Sequence, residues 1–460
     1  MENIQIDPKQ LRTVMRNFSS HSRQYPTLAR EIIAIDGLAS NSSEYWQAWK
    51  DAVIDLACDA SDQSHLLILI KRAVAAFIGS QEGQRAVSIL ADLARIVPSS
   101  LELIMKHFEA SFPYWKNPQS GPLLQNFTQN ALNLGLELPQ LLERIIEFLT
   151  KKILLIDLSI RFEDLEQLAN AQADSSTNLN ILADASTIGN LSGLGEKYSQ
   201  EEKARELEET QKARQQHCEQ IRDYLNKIDL MLMALFNFVD KVKATTGNVR
   251  EIGLFILIGF EKHVLPANKP KFTQFLMFYA ASIDNLVADR FLGSLLACLF
   301  TRDSQLAMNH LNNPPAKAKL FRSTSGLLAS FIKLSNKLTE NQLKNVNELL
   351  LEWIGRKVEA LTHFSHNQTE ISILAAVIEC LCEISPPIFI SPDDVRLKQA
   401  FEFAAPVLPS ELKSHEVFGK FVKDSDNRSE PIHKHPIPSL ETLQLPLSRQ
   451  FLLNSACFQV

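Results

Sequence analysis

The residues of this chain that could do chemistry are a few cysteines, scattered histidines and several adjacent carboxylates, and their spacing decides what they can do. Cys380 and Cys382 stand one residue apart in helical text, which turns their thiols to roughly opposite faces. A zinc site would use Cys-x-x-Cys with a second ligand pair. Neither is present, so these are read as buried structural thiols. His363 with His366, and His433 with His435, have fragments of metal-ligand spacing but sit in polar stretches without a carboxylate framework. Asp393 and Asp394 follow Ser391–Pro392 and read as helix capping and dipole complementation. The segment Gly193–Leu194–Gly195–Glu196–Lys197 lacks the GxxxxGK[ST] spacing and a preceding strand, so it does not aim amides at a phosphate. Glu163 with Asp164, and Glu208 with Glu209, fall on stretches read as solvated. There is no GxSxG elbow, no HExxH helix and no kinase text. The expectation is no enzyme, no catalytic residue, no metal site and no cofactor.

The elements that would position any site are helices. The chain has 460 residues, 45% hydrophobic and 22% charged, which suits several domains or one elongated array rather than a single core. Gly is scarce at 15, and Phe at 26 far outnumbers Tyr at 6, so most aromatic surface must go inside. Long Leu/Ile/Ala stretches with few Gly turns argue against sandwiches, barrels and dinucleotide-binding sheets. The net charge of −6 does not favour binding through phosphate neutralisation, so direct DNA contact is expected to be weak at most. The remaining cysteines, Cys58, Cys218, Cys298 and Cys457, are too scattered for a disulfide framework and fit a reducing compartment. The N-terminus lacks a signal-peptide layout, and the apolar run Ile252 to Phe260 is far short of the ~20 residues that span a bilayer. A soluble, intracellular chain without membrane contact is expected.

Prolines punctuate the helical text at Pro98, Pro113, Pro118, Pro122 and Pro139, where they suit helix starts. After Pro139, Leu141, Ile145, Leu149, Ile153 and Ile156 make one buried stripe. Gln167 to Ser199 then turns to Asn, Ala, Ser and Gly without an apolar period, and Glu201 to Gln216 carries five Glu and four Lys/Arg. The first reads as a flexible insert, the second as a solvated helix held by i,i+4 charge pairs. The clearest stripe follows: Ile221, Leu225, Ile228, Leu232, Leu235, Val239 and Val242. Met231, Phe236 and Phe238 widen it beyond a coiled-coil seam, which favours a packed solenoid helix. Helices are expected from Val249 to Leu265, Lys271 to Ile283, Leu286 to Phe300, Ala316 to Asn336, Asn341 to His363, Thr369 to Ser385 and Asp393 to Ala405. Helices joined by short loops, without strand text, predict an all-α fold, an α-solenoid of HEAT-like antiparallel helix pairs. The expected organisation is N-terminal repeats over 1–165, a flexible polar insert with a charged helix over 166–218, and C-terminal repeats over 219–410. A polar loop over 411–438 and a docking tail over 439–460 complete it.

Four pieces in one order resemble the RNA polymerase I-specific transcription initiation factor family. They are LPQLLERIIEFLTKKILLIDLSI with FEDLEQL (Leu138 to Leu168), LNKIDLMLMALFNFV (Leu225 to Val239), LFILIGFEKHVLPANKPKFTQFLMFYAAS (Leu254 to Ser282) and RSTSGLLASFIKLSNKL (Arg322 to Leu338). In the family, a helix ending in an Ile-Asp element leads into an acidic insert, and a Lys-Leu-Asp-x-Leu-Met restart follows. The most recognisable passage ends a helix in Leu-Pro, makes a short basic turn and continues Gln-Phe-Leu-x-Phe-Tyr. Leu265, Pro266, Gln274, Phe275, Phe278 and Tyr279 match it here. The pieces span about 200 of the 460 residues. Departures are an insert less acidic than usual, a short C-terminal third and no clear Pro-Phe-Asp-Pro element near the end.

The resemblance implies a HEAT-repeat fold without enzymatic activity, in the nucleus and nucleolus. It implies binding to RNA polymerase I in its stalk region and to promoter-bound core factors, with homodimerisation of the free factor left open. It also implies control by serine phosphorylation, although no serine matches by motif. The insert places Ser175, Ser176 and Thr177 as candidate phosphorylation sites. On solvent exposure expected for turn lysines, Lys269 and Lys271, with Lys317, Lys319 and Arg322 at a later helix start, are candidate partner contacts facing an acidic protein surface. The alternative is another α-solenoid protein-binding adaptor, a nuclear transport or trafficking scaffold.

Overall fold

Apolar residues recurring every three or four positions give each element of this chain one side to bury, and the helices stack accordingly. The computed structural model describes residues 37–40, 42–59, 63–168, 197–267, 270–300, 314–335, 337–363, 368–384 and 395–404. Among these the elements are α1 (Ser43–Asp59), α2 (Gln63–Ala75), α3 (Gln81–Ile96), α4 (Ser100–Ala110), α5 (Gly121–Glu137), α6 (Pro139–Leu158) and α7 (Lys197–Thr245). They continue with α8 (Val249–Gly259), α9 (Gln274–Ile283), α10 (Asn285–Phe300), α11 (Pro314–Leu334), α12 (Glu340–His363), α13 (Gln368–Ile384) and α14 (Val395–Ala404). Short 3-10 turns follow α2 and precede α5, and a further helical stretch covers 162–168. No β-strand occurs among the described residues.

The helices form two layers. In one, α3 packs on α1 and α5, and α5 on α7; in the other, α2 packs on α4, α4 on α6 and α6 on α8. Beyond α8 the stack continues through α9, α10, α11 and α13, with α12 and α14 against its end. A single hydrophobic cluster runs from Leu38 to Ala404, and each helix touches chiefly the helices one or two places away in sequence. That arrangement is an α-solenoid. Pro122 and Pro139 sit in the first turns of α5 and α6, where a missing N–H costs no intrahelical bond.

α7 joins two expected segments into one rod of 49 residues, about 70 Å at ~1.5 Å per residue. Its apolar half buries Ile221, Leu225, Ile228, Leu232, Leu235, Val239 and Val242, with Met231, Phe236 and Phe238 beside them, against α5 and α6. The boundary expected at 218/219 therefore falls inside a helix. The polar half continues what the apolar half anchors, because charge pairs at i,i+4 support exposed helix. The segments 169–196 and 405–460, which hold most of the expected insert, the polar loop and the docking tail, lie outside the described residues.

Candidate functional site

The stripe Leu141, Ile145, Leu149, Ile153 advances by four residues, and its next step on α6 is a carboxylate, Asp157. Asp157 is fully buried. Its Oδ2 accepts hydrogen bonds from the backbone N–H groups of Lys271 (3.0 Å), Phe272 (3.0 Å) and Thr273 (2.9 Å) and from Thr273 Oγ1 (2.8 Å). Those amides precede or open α9 and would otherwise lack partners, so a side chain from α6 caps a helix far along the chain. Its negative charge also suits the positive end of the α9 dipole. Lys271 completes the arrangement: Nζ donates to the Asp157 carbonyl (3.2 Å), lies 3.8 Å from Oδ1 and sits 5.2 Å from the Phe162 ring.

This capping holds α9 where it is apolar on every side. Gln274, Phe275, Phe278 and Tyr279 are all buried, as is Leu265 before them, while Pro266 is half-buried. Gln274 Nε2 donates to the Lys271 carbonyl (3.1 Å), and Tyr279 Oη donates to Asp240 on α7. Phe278 meets Phe291 and Phe331 at ring-centroid distances of 6.0 and 5.9 Å. Phe275 stands edge-on to Phe278.

Lys271 corrects the expectation of a protruding basic turn. It is only 3% exposed, because the turn folds beneath the end of α6 to supply donors to Asp157. It is not a surface contact. Lys319 is exposed and Arg322 half-buried on α11, so neither shares a surface with the buried Lys271. Lys269, the Lys317 side chain, Ser175, Ser176 and Thr177 lie outside the described residues.

Between α8 and this junction the chain makes a π turn, Phe260–Val264, where the text predicts unbroken α-helix. The wider turn sends neighbouring polar residues to different helices. Glu261 accepts from Ser294 Oγ on α10, while Lys262 and His263 both bind Glu147 on α6, the latter at 3.0 Å. Burial pushes the Glu147 carboxyl up, but the hydrogen bonds and charges of Lys262 and His263 outweigh it and hold the group below its usual range. Gly259 lets α6 approach: a Cβ there would meet the Glu147 Cα at 3.4 Å.

Two further polar residues escaped the sequence reading. Lys227, in the Lys-Ile-Asp restart, has a fully buried side chain whose Nζ donates to the carbonyls of Trp115 and Asn117 (both 2.8 Å) and to Asp223. It ties α7 to the loop before α5. Asp164 was expected on a solvated stretch but is 8% exposed. It accepts from the Arg161 amide (2.8 Å), an N-terminal cap for 162–168, and from His217 Nε2 (2.9 Å) on α7. Both signals were present in the text: a charged residue set on an apolar helix face, with an opposite charge four residues away for Lys227.

Cys298 and Cys380 are buried, and burial raises the Cys298 thiol pKa. Cys382, His366, His433 and His435 offer no described side chain. No group of three or more His, Cys, Asp or Glu among the described residues is placed to hold a metal ion, and no described helix is long and apolar enough to cross a membrane.

Comparison with known proteins gives this architecture a family. The mouse (Mus musculus) RNA polymerase I-specific transcription initiation factor RRN3 is 22% identical over 275 residues, an alignment covering 59% of this chain and 38% of the relative's length. The crystal structure of RNA polymerase I transcription initiation factor Rrn3 superposes with a TM-score of 0.63 at 19% identity, over 90% of this chain and 77% of that one. The model of the family described as RNA polymerase I specific transcription initiation factor RRN3 matches residues 18–372, which include α1 to α12, the Asp157 cap and the buried Lys227. The chain belongs to the RNA polymerase I-specific transcription initiation factor RRN3 family.

Proposed function

We propose that the chain is a non-catalytic initiation factor that binds RNA polymerase I and brings it to ribosomal RNA gene promoters. In this reading the solenoid is a rigid adaptor: it binds polymerase I in the stalk region and promoter-bound core factors elsewhere along its length. It acts in the nucleus and, more narrowly, the nucleolus. The free factor pairs as a homodimer, and phosphorylation of the insert, with Ser175, Ser176 and Thr177 as candidates, tunes association. The observation that carries the reading is the family match over 18–372, which takes in the polar residues that tie α6 to α9 and α7 to the loop before α5. A stack whose apolar stripes are consumed by repeat packing leaves exposed helix faces and turns for partners, as protein-binding solenoids do.

Depletion of the protein in its own cells tests this. Pulse-labelled precursor ribosomal RNA and polymerase I occupancy at the promoter should both fall, and messenger RNA synthesis should hold. Normal polymerase I occupancy after depletion would overturn the proposal.

A further inference from the structure

α2, α4 and α6 lie side by side, and their outward residues share one surface. Lys71 on α2 and Lys106 on α4 both act electrostatically on His107, while Lys151 and, from α4, Glu109 both act on Lys152. None of Lys71, Lys106, Lys151 and Lys152 has an ion-pair partner among the described residues. Other exposed cations nearby are paired, such as Arg144 with Glu102 and Lys262 with Glu147. The unpaired cations oppose one another. Burial first, then Lys71 and Lys106, pushes the His107 imidazole below its usual range, and burial with Lys151 does the same to Lys152. Lys152 spreads its charge over the rings of Phe112 and Phe148, with Nζ at 4.9 and 5.0 Å from their centroids.

Exposed aliphatic side chains stand among these cations. Leu155 and Leu158, 44% and 40% exposed, continue the outward stripe of α6 beyond Lys151, and Ile68 does the same one turn before Lys71. Glu109 offsets part of the repulsion at Lys152, but like charges without ion-pair partners, interleaved with apolar surface, are still costly to the free chain and are relieved by a partner that supplies both carboxylates and apolar contact.

We propose that the outward face of α2, α4 and α6 is a docking surface for an acidic protein segment that also carries apolar side chains. Nucleic acid suits it less. Leu155 and Leu158 offer no aromatic platform for bases and would stay uncovered against a phosphate backbone, whereas the apolar side chains of a protein segment cover them. The surface belongs to the chain whether or not it recruits a polymerase.

The test uses the full chain and a fluorescent synthetic peptide of about 16 residues, with Glu and Asp on one helical face and Leu and Phe on the other. Controls are the same peptide with Lys for every acid, the acidic peptide with Ser for every apolar residue, and a single-stranded oligonucleotide. Saturable anisotropy is expected with the acidic amphipathic peptide alone, weakening as salt rises. Lys71→Glu/Lys106→Glu/Lys151→Glu should weaken it at least about tenfold, and Leu155→Ser/Leu158→Ser severalfold, with thermal midpoints held. The Lys→Arg triple should retain binding, and a Lys→Gln triple serves if the Glu variant misfolds. Peptide binding indifferent to these variants, no binding, or preference for the oligonucleotide on the same residues would overturn the proposal.

Discussion

Replacing Asp157 probes the joint between the two halves of the solenoid. Asp157→Ala removes the acceptor of the Lys271, Phe272 and Thr273 amides and of the Thr273 hydroxyl in a buried site, and leaves the Lys271 ammonium its bond to the residue-157 carbonyl but no carboxylate beside it. Removing one member of a buried ion pair costs about 3–5 kcal/mol, because the remaining charge and donors keep their desolvation penalty. The individual bonds do not add, since they share one site that water can enter once the carboxylate is gone. Asp157→Asn preserves one acceptor oxygen for Phe272 and Thr273 but turns an amide N–H toward the Lys271 amide and deletes the charge. A loss near ~2 kcal/mol is expected for it. Lys271→Met added to Asp157→Asn should recover part of that loss, as removal of both charges leaves neither uncompensated. Urea unfolding followed by circular dichroism gives the stability, and hydrogen exchange over 270–283 gives the location. The amides of Phe272 and Thr273 should lose protection before those of α5 or α6. A midpoint shift worth less than ~1 kcal/mol in Asp157→Ala, with exchange at 271–275 unchanged, would refute the reasoning.

Three other perturbations follow from the same contacts. Lys227→Met should cost ~1–3 kcal/mol in urea unfolding, because it removes the charged donor that ties the Trp115 and Asn117 carbonyls to α7 and leaves Asp223 without its cation, although Ser120 still donates to both carbonyls, and an unchanged midpoint would contradict that role. Phe275→Ala should cost ~3–5 kcal/mol, as expected for a large ring removed from a site that is 1% exposed. Glu147 binds its proton more weakly folded than unfolded, so its contribution is present above the unfolded carboxylate pKa and fades as pH falls through the lowered folded value. Glu147→Gln should therefore destabilise by under ~1 kcal/mol near neutrality, Lys262 being largely exposed. That difference should shrink in matched unfolding curves as pH is lowered from neutrality through the carboxylate range.

Periodicity made the fold legible. The four-residue steps of α6 and the seven stripe residues of α7 lie inside, and the prolines at 122 and 139 open helices as their chemistry dictates. The site was less legible, for a physical reason. A lysine or aspartate in helical text is ordinarily solvated, and what overturns that default is a partner 53 to 114 residues away. Lys271 read as a turn lysine because its partner, Asp157, is remote in sequence; Asp157 read as part of a helix end. Asp164 pairs with His217 across the insert in the same manner. The π turn at Phe260–Val264 adds one residue to a turn without breaking the apolar run, so spacing alone could not mark it. Family text carried what periodicity could not, since Ile-Asp, Lys-Ile-Asp and the turn before Gln-Phe-Leu contain Asp157, Lys227 and Lys271.

Direct binding to purified RNA polymerase I from the same organism tests the central claim. The folded chain and the polymerase, mixed near micromolar concentration at physiological salt, should co-elute from a sizing column as a stoichiometric complex and leave RNA polymerase II free. A chain that is folded by circular dichroism yet elutes wholly apart from polymerase I would contradict the account.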